Sequence, residues 1–284
     1  AVTLPYTTKA ESGKETLILL NVCLKEATSW CDAGYSIAAE QYTLGARSTS
    51  LAAVENVDND PLLVDDTSSS YRITIKNSKT SVEFGTSGNL ISWEYNGTPM
   101  VERQKGIEYS NFRWIENDTY GDTSNGVTGH TMSYNRSADG SKVVVTVNGS
   151  GSKCPYKFIY TIYASGQIDL KAQYMPATAE LRRIGLEMCF PKGFENVEYY
   201  ARGPWENYVD RKTGSYLGRY TSTVTDMFEP YPHPQTMGNR EDLRERRAAA
   251  SNLVNQELDD VADGVDLQLA AFLHLLERQL HQVE

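Results

Sequence analysis

Residues 199–244 hold the densest set of side chains able to do chemistry. One run reads Tyr199-Tyr200-Ala201-Arg202-Gly203-Pro204-Trp205-Glu206-Asn207-Tyr208-Val209-Asp210-Arg211. A second reads Pro230-Tyr231-Pro232-His233-Pro234-Gln235-Thr236-Met237-Gly238-Asn239-Arg240-Glu241-Asp242. Arg, Asn, Gln and Glu are planar hydrogen-bonding forks that reach sugar hydroxyls, and Trp and Tyr rings cover apolar C–H faces. The candidates for carbohydrate contact are therefore Arg202, Trp205, Glu206, Asn207, Arg211, His233, Gln235, Asn239 and Arg240. A second reading competes: the same groups can knit two long loops together without any ligand. Paired carboxylates could cut a glycosidic bond, but only Glu206 and Asp210 lie within a dense polar loop. Glu206, next to Arg202 and Arg211, suits an ion pair better than a general acid. His233 and Glu206 are the one pair in these loops that could interconvert sugar anomers by acid and base.

No other constellation competes. There is no G-x-S-x-G elbow, Gly-rich phosphate loop or H-E-x-x-H pair. The four histidines do not cluster, so neither a metal nor a cofactor is expected in this chain. Cys23, Cys31, Cys154 and Cys189 lack C-x-x-C spacing, which speaks against zinc. Cys23 and Cys189 fall in strand-like runs and read as buried free thiols.

The elements that position these loops follow from the rest of the chain. Pro204, Pro230, Pro232 and Pro234 lack an N–H and fix φ, so 199–244 cannot be one helix; it reads as short strands joined by shaped loops. Residues 16–24 and 35–44 are apolar strands, too few to bury a core alone. Residues 46–68 shift to Ala, Ser, Asn and Asp and read as a linker. From Tyr71 the pattern has period two: 71–76, 81–84, 89–95, a tight turn at Asn96-Gly97, then 98–102, 131–134, 142–147, 156–164, 167–174, 181–190 and 197–200. Hairpin-linked strands with almost no helical period predict a large antiparallel, all-β assembly. Residues 244–255 and 270–280 look helix-permissive by propensity.

Composition narrows the partners. The 284 residues are 40% hydrophobic and 23% charged, as in globular proteins. The net charge of −10 lacks the basic footprint that nucleic acid requires and is unfavourable for anionic lipid. No apolar run approaches the length of a membrane-spanning helix. The first residues do not form a signal peptide; unpaired cysteines lean cytoplasmic, with a periplasmic location left open.

The motif residues also carry a family resemblance. Residues 203–211, Gly-Pro-Trp-Glu-Asn-Tyr-Val-Asp-Arg, closely resemble the G-P-x-E-N-Y-x-D-R motif in the C-terminal domain of glycoside hydrolase family 2 β-galactosidases. Residues 226–244 resemble the same family's M-Y-x-P-Y-x-x-P-Q-x-x-G-N-R-x-D-x-R, and residues 183–186 its R-I-G-L strand. Upstream, Lys25-Glu26-Ala27-Thr28-Ser29-Trp30 and Ala38-Ala39-Glu40-Gln41 are similar to the end of the immunoglobulin-like domain that precedes it. Two departures stand out: Asn111-Phe112-Arg113-Trp114 matches the family's N-F-W-R-A-P only in part, and the tail after Arg244 matches poorly.

The resemblance implies a layout. Residues 1–45 would complete an immunoglobulin-like sandwich, 46–68 would be a linker, and 69–284 a C-terminally incomplete β-galactosidase small chain domain, a supersandwich similar to galactose mutarotases. It also implies that the catalytic glutamates of the parent enzyme belong to a (β/α)8 barrel outside this chain. The chain would then be non-catalytic, with that barrel and a β-galactoside or other carbohydrate as partners; a homo-oligomer is left open. An independent carbohydrate-binding module and a mutarotase-like epimerase are the alternatives.

Overall fold

The computed structural model describes residues 12–46, 60–110, 127–151, 154–176, 184–232 and 237–249. They fall into two compact units, one within Ala1–Ala53 and the other within Val54–Glu284. Among the described residues every regular element is a strand and every pairing is antiparallel.

The first unit is a hairpin of β1 (Thr16–Cys23) and β2 (Ser36–Gly45). The chain reverses between them through Leu24 and Gly34, whose amides donate to the carbonyls of Tyr35 and Leu24 at 2.9 and 2.8 Å. Leu19, Val22, Ile37, Tyr42 and Leu44 stay exposed. Cys23 is exposed as well, which corrects its expected burial. The physical reason is that this unit has no second sheet among the described residues to cover the strand.

In the second unit, β3 (Leu63–Asp65), β4 (Arg72–Lys76), β5 (Thr80–Gly85), β6 (Leu90–Tyr95) and β7 (Thr98–Pro99) form a five-stranded meander in chain order. Period-two alternation decides which way its residues point. Ile73 and Ile75 of β4 and Val82 and Phe84 of β5 are buried, while Arg72, Thr74, Ser81 and Glu83 face outward. Asn96 and Gly97 take φ of 48° and 74° between β6 and β7, as the Asn-Gly pair predicts. The stretch read as linker ends inside this sheet: Leu62 is fully buried and Leu63–Asp65 pairs with β4.

After β8 (Glu108–Ser110) come β9 (Val127–Arg136), β10 (Lys142–Gly151), β11 (Tyr156–Tyr163) and β12 (Ile168–Tyr174), a four-stranded meander. Val143, Val145 and Val147 of β10 and Phe158, Tyr160 and Ile162 of β11 join the inward residues of β4, β5 and β6 in one core. Phe84 and Tyr160 meet there edge to face, with ring centroids 5.1 Å apart.

β13 (Gly185–Glu187) pairs only with β8. Of the strand expected over 181–190, Gly185–Glu187 is seen paired with Glu108–Ser110. Beyond it the chain pairs irregularly, with Cys189 exchanging backbone hydrogen bonds with Glu102 and Lys105 around the turn at Gln104. Cys189 is exposed, a second correction to the thiol expectation; Cys154 is the buried one, and all four thiols are free.

The last sheet places β14 (Asn196–Gly203) between β15 (Tyr216–Thr223) and β16 (Glu245–Ala249). β14 buries Val197, Tyr199 and Ala201. The helix-permissive reading of 244–255 is overturned where described: five of those residues form β16, because β14 offers an open edge that backbone pairing satisfies and local propensity yields to it. Residues 270–280 lie outside the described residues.

Candidate functional site

The order of this last sheet brings the two polar runs together. β15 ends opposite Asn196, whereas β16 begins opposite Tyr200. Residues 224–244 therefore leave one edge of β14 and return to its other edge, near the strand's C-terminal end. That crossing lays the second polar run against the loop that follows Gly203. Backbone hydrogen bonds pin the junction: Arg202 N to Glu241 O at 3.0 Å, Asn207 N to Asn239 O at 3.0 Å, and Arg244 N to Tyr200 O at 2.7 Å.

Asn207 is the centre of the arrangement and is 0% exposed. Its Nδ2 donates to the carbonyls of Arg202 (3.1 Å) and Trp205 (2.8 Å), and its Oδ1 accepts from Glu241 N at 2.8 Å. Its own carbonyl accepts from Asn239 Nδ2 at 2.7 Å, and that amide also reaches Glu241 Oε1 at 2.8 Å. Two of the sequence candidates thus spend their amides on each other's loops, which is what a buried polar group requires.

Glu206 is held as tightly. Its Oε1 accepts from the Arg211 guanidinium and the Tyr231 hydroxyl, and its Oε2 from Gly238 N. Its side chain is 6% exposed against 49% for Arg211, so the carboxylate is inside and the cation caps it. Arg211 also donates to Tyr231 Oη at 3.1 Å and lies 4.8 Å from the Tyr208 ring centroid. The hydrogen bond to Tyr231 raises the Arg211 pKa against the opposing effect of burial, and the Tyr231 and Glu206 charges add to the rise. The ion pair expected from spacing is formed, but with Arg211. Arg202 instead pairs with Asp242 and donates to the carbonyl of Ser215 at 2.8 Å. Burial pushes the Asp242 carboxyl up, and the Arg202 hydrogen bond and charge, with Lys212 and Arg244, outweigh that and bring it below its usual value.

Arg240 donates through Nε to Tyr199 Oη at 3.2 Å, its guanidinium lying 5.4 Å from that ring's centroid. The Tyr199 hydroxyl passes the chain of bonds to Pro204 O at 3.0 Å. The Trp205 side chain stands outside the network, with the residue 73% exposed and Val209 of the same loop 76% exposed. His233 and Gln235 lie outside the described residues.

The structure adds four members that composition alone did not single out: Tyr231, Tyr199, Glu241 and Asp242. Tyr231 lies in a Pro-Tyr-Pro run that limits its backbone freedom, which is the one local signal that could have marked it. Two concavities among the described residues lie elsewhere. One of about 300 Å³ is lined by residues of β3–β5 and the turn after β3, and one of about 360 Å³ is lined by His130, Asn148, Tyr156 and Met175 among others. Neither is lined by a residue of 199–244. No group of three or more His, Cys, Asp and Glu among the described residues is placed to hold a metal ion.

Chemically, the network binds itself. Arg202, Glu206, Asn207, Arg211, Asn239 and Arg240 each have protein partners, whereas the side chains of Trp205, Val209, Asp210, Phe228 and Leu243 are exposed.

Comparison with known proteins agrees with the motifs. The chain is 27% identical over 247 residues to a β-galactosidase of Priestia megaterium, covering 81% of this chain and 23% of that protein. It is 28% identical over 255 residues to a β-galactosidase of Streptococcus thermophilus, covering 85% and 24%. A β-galactosidase of Lactobacillus delbrueckii subsp. bulgaricus is 27% identical over 292 aligned residues, covering 94% and 27%. The chain thus spans about a quarter of the length of these relatives. The profile of the family described as β-galactosidase small chain matches residues 76–282, and the chain belongs to that family.

Proposed function

We propose that this chain is the non-catalytic C-terminal region of a family 2 β-galactosidase, supporting a catalytic barrel outside the sequence and helping to shape its sugar site. The parent reaction would be retaining hydrolysis of terminal β-galactosides by two glutamates of that barrel. One observation carries the reading: Arg202, Glu206, Arg211, Arg240 and Asp242 are engaged with one another, with tyrosine hydroxyls and with the backbone, and Asp210 of the same loop is exposed at the surface. Glu206 takes three donors and Asp242 faces Arg202. A general acid needs a proton to give and a substrate atom in reach; Glu206 is buried under its own partners. The same engagement weighs against an epimerase built on Glu206 and against a sugar-binding module built on these loops. What the network does supply is rigidity, holding Trp205 and Val209 out from a fixed base.

The test is enzymatic. The chain alone is expected to give no hydrolysis of a chromogenic β-galactoside above the buffer rate. A longer product of the same gene, extended upstream of Ala1 to include a barrel, is expected to hydrolyse it and to lose activity when 199–244 is removed. Turnover by the chain alone overturns the proposal.

A further inference from the structure

The concavity on the first sheet belongs to no part of the 199–244 network. Alternation puts Arg72, Thr74 and Lys76 of β4 on one outward face, and Ser81 and Glu83 of β5 beside them. Pairing aligns these into a row. Thr74 lies opposite Asp65 on β3 and opposite Glu83 on β5, and Glu83 lies opposite Ser92 on β6. Lys76 lies opposite Ser81 one step along, and Arg72 lies opposite Gly85, where the Asn89 side chain occupies the place of a Cβ.

The two acids of the row are held in place. Glu83 Oε2 accepts from Ser92 Oγ at 3.2 Å and lies 3.2 Å from Arg103 Nη2, while Oε1 lies 3.6 Å from Arg72 Nη1. Asp65 Oδ1 accepts from the amides of Thr67 and Ser68 at 3.1 and 3.0 Å, which shapes the turn closing one end of the concavity. Between these fixed acids, the Lys76 ammonium and the Thr74 and Ser81 hydroxyls have no partner among the described residues. Strand-borne, ordered acceptors thus alternate with free donors in a space of about 300 Å³, at the lower end of the range for small-molecule sites.

The charges of the lining select the ligand class. Among the lining residues Arg72 and Lys76 are balanced by Asp65 and Glu83, with Arg103 against Glu83 from outside the lining, and the acids occupy the middle of the row with a cation on either side. An anion entering there would meet two carboxylates. A neutral polyol, whose hydroxyls both donate and accept, can use carboxylates, ammonium and hydroxyls at once. We infer that the outer face of β3–β5 is a binding site for neutral carbohydrate, about one or two sugar rings in extent by its volume. No aromatic ring lines it, so binding rests on hydrogen bonds exchanged with water, and the dissociation constant is expected to be about millimolar. The inference does not depend on the activity proposed above: a chain inactive on β-galactosides can bind here, and an active parent can leave this face empty.

The experiment is an amide NMR titration of the intact chain with galactose, with lactose and, separately, with inorganic phosphate. The expected result is saturable shifts of the Thr74, Lys76 and Ser81 amides with sugar, none for residues 202–211, and weaker response to phosphate. Thr74→Val and Lys76→Gln are each expected to weaken sugar binding at least about fivefold, a hydrogen bond's worth, with the remaining spectrum unchanged. Lys76→Gln, an exposed change, decides the matter if Thr74→Val perturbs the strand. Absence of shifts at about 50 mM sugar, far above the expected constant, overturns the inference. So do shifts centred on 202–211, or phosphate saturating more tightly than sugar.

Discussion

Asn207 satisfies three main-chain groups with a single, fully buried amide. Truncation to alanine removes the shared partner and strands the carbonyls of Arg202 and Trp205 and the amide of Glu241. Each buried group left unpaired costs about 1–3 kcal/mol, so Asn207→Ala is expected to lower stability by about 3 kcal/mol or more. Denaturant unfolding followed by tryptophan fluorescence measures this; a loss under about 1 kcal/mol would mean that the loops re-pair their backbone groups by shifting. At this scale the residue types were legible and the partners were not. Spacing pointed to an ion pair at Glu206, and Arg211, five positions on, provides it. Tyr231 and Gly238, which complete the carboxylate's shell, lie 25 and 32 positions away. No local pattern encodes that distance; it depends on how 224–244 crosses β14.

At the scale of elements, the turn between β5 and β6 ties the first sheet to the second. Gly88 sits there at φ +90°, and a Cβ at this position would approach Val147 Cγ1 of β10 to 2.5 Å. Valine is stiff at χ1 and cannot swing aside. Gly88→Ala adds a left-handed backbone penalty of about 1–2 kcal/mol to an overpacking cost of about 1–3 kcal/mol. The expected outcome is a melting temperature lower by at least about 5 °C, read by circular dichroism; a shift within one degree or so would show that the two elements are not in such contact. Alternating strands such as β4, β5, β10 and β11 were legible because each buries one face, so burial writes period two into the residues. β16 was not, since Arg-Arg-Ala-Ala favours helix locally and only the vacant edge of β14 makes it a strand.

Over the whole molecule, stability is unevenly shared between the two units. The β1–β2 hairpin keeps apolar side chains exposed on both faces, whereas β10 and β11 bury theirs in the main core. A two-stranded hairpin is marginal in water, and local opening follows the number of buried contacts. In the isolated chain, the amides of β1 and β2 are expected to exchange at least about 100-fold faster than those of β10 and β11. Hydrogen exchange read by mass spectrometry checks this, and equal protection would count against the division. The enclosed Asn207 has a consequence of another kind, for the family's descent. Its partners are peptide groups, which every residue except proline carries in the same form. A change at 207 therefore cannot be answered by exchanging the chemistry of those partners, whereas a side-chain pair such as Arg202 and Asp242 can in principle be exchanged together. A motif can thus persist as the mark of a lineage for architectural reasons.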